Sequence, residues 1–172
     1  LDYFNGMFAF ALWDKTKNNF YLIRDRMGIK PLYYIEYENS VVFSSSVRAI
    51  NTYMEDEIKV DKHELIDFLS YGTIHSPNSI LNEVKSIPRG SYFFSGLEES
   101  SIIEYWNTFV NVNHSLSYSD AINETKKLIS DSVEKRLISD VPYGVFLSGG
   151  VDSSILVAAA SKVSKMPINT FS

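Results

Sequence analysis

Ser148 to Ser154 read Ser-Gly-Gly-Val-Asp-Ser-Ser, with an apolar run before them and an Ala-rich run after. Two adjacent glycines let a backbone approach a ligand closely. A helix opening just after them would aim its free N–H groups and positive dipole end at the same place. The hydroxyls of Ser148, Ser153 and Ser154 add donors. Such a loop suits the binding of phosphate oxygens. It is not a Walker A loop, because no Gly-Lys-Ser/Thr follows. Asp152 is the unusual member, since a carboxylate beside bound phosphate repels it unless a cation stands between them. Mg²⁺, shared by the carboxylate and the phosphates, is the natural candidate. The plainer reading is a glycine turn in which Asp152 and Ser153 merely cap a helix. The apolar lead-in Val145-Phe146-Leu147, read as a buried strand, and the helix that follows favour the phosphate reading.

The elements around the loop are legible in outline. Residues 143–147 read as a strand, about 153–163 as a helix, and a further strand starts near Ile168. That β–loop–α–β order opens a doubly wound parallel sheet. Upstream, a long helix begins near Ser117 with Asp120 three residues on, and Ile122, Ile129, Val133 and Leu137 form its apolar stripe. Residues 107–118 are polar and read as a linker. Before them the pattern is strand-rich. Residues 6–14 are apolar on both faces, with Phe8, Phe10 and Leu12 on one and Met7, Ala9, Ala11 and Trp13 on the other, which predicts a strand covered on both sides. A strand over 20–23, a hairpin of 33–37 with 41–44 turning at Glu38-Asn39-Ser40, and strands over 90–95 and 102–106 complete this part. Lys62–Tyr71 reads as a helix, with Asp61 and Glu64 at capping-box spacing and Gly72 placed to end it. The division expected is 1–110 and 111–172.

Composition narrows the classes. The 172 residues are 45% hydrophobic and 14% aromatic, enough for a real core. Net charge is −5 and the 16 basic residues are scattered, so no nucleic-acid footprint is expected. No apolar run approaches the roughly 18 residues of a membrane span. With no cysteine, disulfides, thiolate metal sites and cysteine nucleophiles are excluded within these residues. The chain does not begin with Met and its last residues read as a strand just starting. An internal segment of a longer protein is therefore expected.

Other polar residues read as structural. His63, His75 and His114 lack metal-ligand spacing. Arg24 and Asp25 read as fixing the turn through Gly28, with Arg26 beside them. Tyr33, Tyr34 and Tyr37 read as cross-strand packing, and Glu55-Asp56-Glu57 as a solvated loop.

SGGVDSS resembles the pyrophosphate loop of the ATP-pyrophosphatase enzymes, which cleave ATP between its α- and β-phosphates. With its lead-in, SDVPYGVFLSGGVDSS resembles glutamine-dependent asparagine synthetase in particular. LDYFNGMFAFALWD, RDRMGIKPLYY and YGTIHSPNSILNEVKSIPRGSYF resemble consecutive stretches of that family's glutaminase domain and its exit. The resemblance implies an α+β then α/β chain: the C-terminal half of an N-terminal-nucleophile glutaminase (αββα), then the start of an ATP-pyrophosphatase sheet.

It also implies ATP and Mg²⁺ as substrate and metal of the parent enzyme, aspartate and glutamine as its other substrates, a β-aspartyl-AMP intermediate, a cytoplasmic setting, and a homodimer for the full-length protein. Carried over by motif, Ser148, Gly149, Gly150, Asp152, Ser153 and Ser154 match the pyrophosphate loop, Asp152 the carboxylate implicated in Mg²⁺ binding, and Leu147 the residue just before the loop. The family's nucleophilic cysteine and glutamine-binding residues would precede Leu1, and its aspartate-binding residues would follow Ser172. One departure stands out: Phe43-Ser44-Ser45-Ser46 ends in serine where the family usually has an acid. Enzymes of the same architecture with another carboxylate acceptor, β-lactam synthetase among them, and a non-catalytic fragment remain open alternatives.

Overall fold

A computed structural model describes residues 1–55, 58–96, 99–109, 112, 115–164 and 166–172. Asp56, Glu57, His114 and part of the 107–118 linker lie outside the described residues. The chain forms two compact units, Leu1–Phe109 and Val110–Ser172.

The first unit is antiparallel. Strands β1 (Ala9–Asp14), β2 (Asn19–Arg24), β6 (Ser91–Ser95) and β7 (Ser100–Glu104) form one sheet in the order β1-β2-β6-β7. Strands β3 (Tyr33–Tyr37), β4 (Ser40–Ser44) and β5 (Lys85–Ser86) form a second, in the order β4-β3-β5. Side chains alternate across a strand, and β3 shows the result. Tyr34 joins Leu22, Leu32, Ile87 and Phe93 in one buried cluster, its ring centroid 4.7 Å from that of Phe93. Ile35, the next residue, joins Ile50, Met54, Leu81 and Val84 in another, against the helix α1 (Val47–Tyr53). The layers are sheet, sheet and helix. Tyr34 thus packs across the layers as well as facing Phe43 in register.

The turn after β2 is held by the two residues read as structural. Asp25 is 1% exposed, and its carboxylate accepts from the backbone N–H groups of Phe8 (3.3 Å), Met27 (3.1 Å), Ile29 (3.0 Å) and Lys30 (2.9 Å). Burial pushes against its charge, but these four donors outweigh burial and hold the carboxyl below its ordinary value. Arg24 donates to the carbonyls of Lys30 (2.8 Å), Ile87 (2.7 Å) and Gly28 (2.8 Å), while the Tyr105 hydroxyl donates to the Arg24 carbonyl (2.7 Å). Gly28 has φ +67, which a side chain would strain.

Helix α2 spans Lys62–Tyr71, as expected. The Asp61 side chain accepts from the N–H groups of His63 and Glu64, and Gly72 closes the helix at φ +72 with its N–H on the Phe68 carbonyl. The reciprocal half of the capping box is not made. The Asp61 N–H goes to Ile80, and the Glu64 carboxylate accepts from Asn78 instead.

Several expectations are corrected. The covering of residues 6–14 is partial on both faces: Ala9 packs against the inter-sheet cluster, but Trp13 on its own face and Leu12 on the opposite face are both about half-exposed. Ser40 belongs to β4, leaving Glu38-Asn39 as the turn, with Glu38 at φ +52. β7 lies two residues earlier than read, because Gly90 takes the Tyr105 and Trp106 N–H groups and bends the chain out of the ladder. Helix α1 and strand β5 were not anticipated.

In the second unit, α3 (Tyr118–Arg136) is capped by the Ser117 hydroxyl on the Asp120 N–H, and Val133 is its buried residue. β8 (Gly144–Phe146) and β9 (Asn169–Phe171) pair in parallel, with α4 (Val151–Val163) between them in sequence. The lead-in strand is not buried as expected: Phe146 is 83% exposed, its ring near that of Phe171. Among the described residues this sheet has two strands. No helix of the described residues is long and apolar enough to cross a membrane.

Candidate functional site

The loop begins where β8 ends. The Leu147 N–H still bonds the Phe171 carbonyl at 2.7 Å, so Ser148 is the first residue free of the ladder. Gly149 then takes φ +79, with no heavy atom within 4 Å of where a Cβ would lie. The left-handed conformation, rather than crowding, demands glycine there. Gly150 is the N-cap of α4, and no side chain caps the helix. α4 therefore starts two residues earlier than expected, and its first N–H groups stay open to a ligand.

This placement overturns the capping role considered for Asp152 and Ser153. Asp152 lies in the first turn, exposed, with no hydrogen bond or ion pair among the described residues. A free carboxylate there favours the helix dipole and is available to a cation. No group of three or more His, Cys, Asp or Glu able to hold a metal occurs among the described residues. A lone exposed carboxylate fits a Mg²⁺ ion carried mainly by phosphate oxygens and water, which is how this metal is usually bound.

The hydroxyls are placed unequally. Ser148 and Ser153 Oγ atoms lie 3.1 Å apart across the loop. Ser153 Oγ donates to the Gly150 carbonyl at 3.1 Å, and Ser154 Oγ donates to the same carbonyl at 2.8 Å. Sequence reading missed this convergence on Gly150, because a hydroxyl's direction follows from the backbone path. Leu147, Ser148, Gly149, Gly150, Asp152, Ser153 and Ser154 are brought together in one surface loop, as their adjacency requires. His63 opens α2, and His75 stacks on Tyr71 with ring centroids 5.8 Å apart. Neither belongs to a group of three or more His, Cys, Asp or Glu able to hold a metal among the described residues.

Comparison with known proteins accounts for both units. A family model for the glutamine amidotransferase domain matches residues 1–106. The chain belongs to the glutamine amidotransferase family. Beyond that amidotransferase segment, a second family model, asparagine synthase, matches residues 124–172 and so includes the loop. Asparagine synthetase [glutamine-hydrolyzing] 3 of Bacillus subtilis is 34% identical over 177 residues, covering 100% of this chain and 29% of the relative. A putative asparagine synthetase [glutamine-hydrolyzing] 2 of Methanocaldococcus jannaschii is 35% identical over 175 residues, covering 98% and 34%. Asparagine synthetase B [glutamine-hydrolyzing] of Escherichia coli is 34% identical over 166 residues, covering 94% and 24%. This amidotransferase chain therefore spans about a third or less of the length of these relatives.

Proposed function

We propose that this chain is part of an enzyme making asparagine from aspartate, glutamine and ATP through β-aspartyl-AMP, releasing AMP, pyrophosphate and glutamate. The observation that carries the reading is the Ser148–Ser154 loop, joining parallel β8 to an uncapped α4 inside the segment matched by the asparagine synthase family. Residues 1–110 form the C-terminal part of a glutaminase domain of the αββα type. Residues 111–172 open an ATP-pyrophosphatase domain on a doubly wound sheet. A cytoplasmic setting and a homodimer of the full-length protein belong to the same reading.

A carboxylate is a poor electrophile, and adenylation supplies the leaving group it lacks. An oxygen of the aspartate side-chain carboxylate attacks the α-phosphorus of ATP, and the bond from that phosphorus to the bridging oxygen breaks, releasing pyrophosphate. Ammonia then attacks the acyl carbon, the bond to AMP breaks and a proton is lost. The loop serves the first step. The backbone at Gly149 and Gly150 allows close approach, the N–H groups of the first turn of α4 face the phosphate oxygens, and Ser148 and Ser153 supply hydroxyl donors. Leu147 sits at the strand end beside the nucleotide, and Ser154 steadies the turn. Mg²⁺, when bound, would be held by Asp152 with the phosphate oxygens and would neutralise charge on the departing pyrophosphate.

The test is Asp152→Asn in the full-length protein. Asparagine formation should fall roughly a hundredfold or more. Glutamine hydrolysis should be spared, because its chemistry does not use ATP. The start of α4 should persist, since Gly150 rather than Asp152 caps it. Near wild-type synthesis with unchanged Mg²⁺ dependence would overturn the metal role.

A further inference from the structure

The loop spends its hydroxyl donors on itself. Each serine hydroxyl carries one hydrogen. That of Ser154 goes to the Gly150 carbonyl at 2.8 Å, and that of Ser153 goes to the same carbonyl at 3.1 Å. Ser153 Oγ can then only accept from Ser148 Oγ, 3.1 Å away, so Ser148 is the donor in that pair. The Gly150 carbonyl also takes the Ser154 N–H at 3.1 Å. Three donors thus share one oxygen that offers two lone pairs. The Ser153 hydroxyl is the most dispensable of them, because the two Ser154 bonds close the helical turn by themselves.

We propose that the Ser148–Ser153 hydrogen bond is a latch across the loop that a pyrophosphate ligand must displace. This rests on reading the loop as a pyrophosphate cradle. An arriving pyrophosphate oxygen draws both hydrogens to itself, so the Ser148–Ser153 bond and the Ser153–Gly150 bond open together. Ser154 keeps its place and holds the Gly150 carbonyl, preserving the helix start while its neighbours turn. The latch holds the loop in one shape with its hydroxyls satisfied, and each binding event gives up two internal bonds.

The latch has a signature that two independent ligand contacts lack. Removing either hydroxyl costs one ligand contact but also abolishes the latch that binding would have to break. Each single alanine variant therefore loses less affinity than its contact is worth. The double variant loses both contacts but recovers the latch only once. The experiment titrates inorganic pyrophosphate with Mg²⁺ into the full-length protein and its Ser148→Ala, Ser153→Ala and double variants, with circular dichroism melts to show that all are folded. Both sites are on the surface loop, so the fold should tolerate these changes. The expected result is that the double variant's loss of affinity exceeds the product of the single losses by about three- to tenfold, the equivalent of one net hydrogen bond. Losses that simply multiply would overturn the latch while leaving the cradle intact. Failure of the wild-type protein to bind pyrophosphate would overturn the cradle itself.

Discussion

Asp25 shows how much one buried side chain can organise. Its carboxylate gathers four backbone N–H groups from two stretches of chain, Phe8 and the turn from Met27 to Lys30. Replacing Asp25 by Ala would orphan these donors at about 1–3 kcal/mol each where water cannot reach them, so a loss of about 3 kcal/mol or more is expected in denaturant unfolding. Asp25→Asn should also destabilise, because an amide brings one oxygen and an N–H₂ group facing donors. The pH dependence has a definite sign. The folded carboxyl titrates below its ordinary value of 3.8, so the unfolded chain takes up the proton first as pH falls. The stabilisation is complete well above that ordinary value. It is lost as pH drops through it towards the depressed folded value. Unfolding free energies measured from about pH 7 down to about pH 3 should fall less steeply for Asp25→Asn than for wild type. Equal slopes would mean that Asp25 does not carry the acid sensitivity.

At the level of elements, the caps decide α2. It is 10 residues long with no fully buried side chain, shorter than an isolated helix needs in water. Asp61→Ala should cost about 1 kcal/mol by removing the acceptor for two N–H groups. Gly72→Ala should cost a similar amount, about 1 kcal/mol, from backbone strain alone, because nothing lies within 4 Å of the site. Chemical unfolding checks both. These caps, the Ser117–Asp120 start of α3 and the β3–β4 hairpin were legible because the residues that form them are neighbours in sequence. α1 was not. It has seven residues, no acid in its first turn, and a Ser46 N-cap whose side chain makes no capping bond. β5 was hidden for another reason: Lys85 and Ser86 become a strand only by meeting Tyr34 and Tyr33, far away in sequence. The partial cover of β1 depends on which layer arrives. At the loop, the glycines and Asp152 announced the chemistry, while Gly150 as cap and carbonyl hub followed from the path of the backbone.

For the molecule as a whole, the 172 residues contain no cysteine. The family resemblance assigns glutamine hydrolysis to an N-terminal cysteine thiol. This chain alone should therefore release no glutamate from glutamine above a heat-killed control, and glutamate above that level would mean another nucleophile acts here. The first unit ends close to Phe109, and its last strand, β7, lies at the edge of a sheet. Edge strands pulled from one end come away one bond at a time, like a zip. Here the chain leaving β7 is first hooked inward. The Tyr105 and Trp106 N–H groups hold the Gly90 carbonyl, the Gly90 N–H holds the Asp25 carbonyl, and the Tyr105 hydroxyl holds Arg24. A side chain at Gly90 would strike the Trp106 carbonyl, so the hook closes only around glycine. Tension drawn along the chain beyond Phe109 meets this clasp before it reaches β7, so the load falls first on the turn that follows β2.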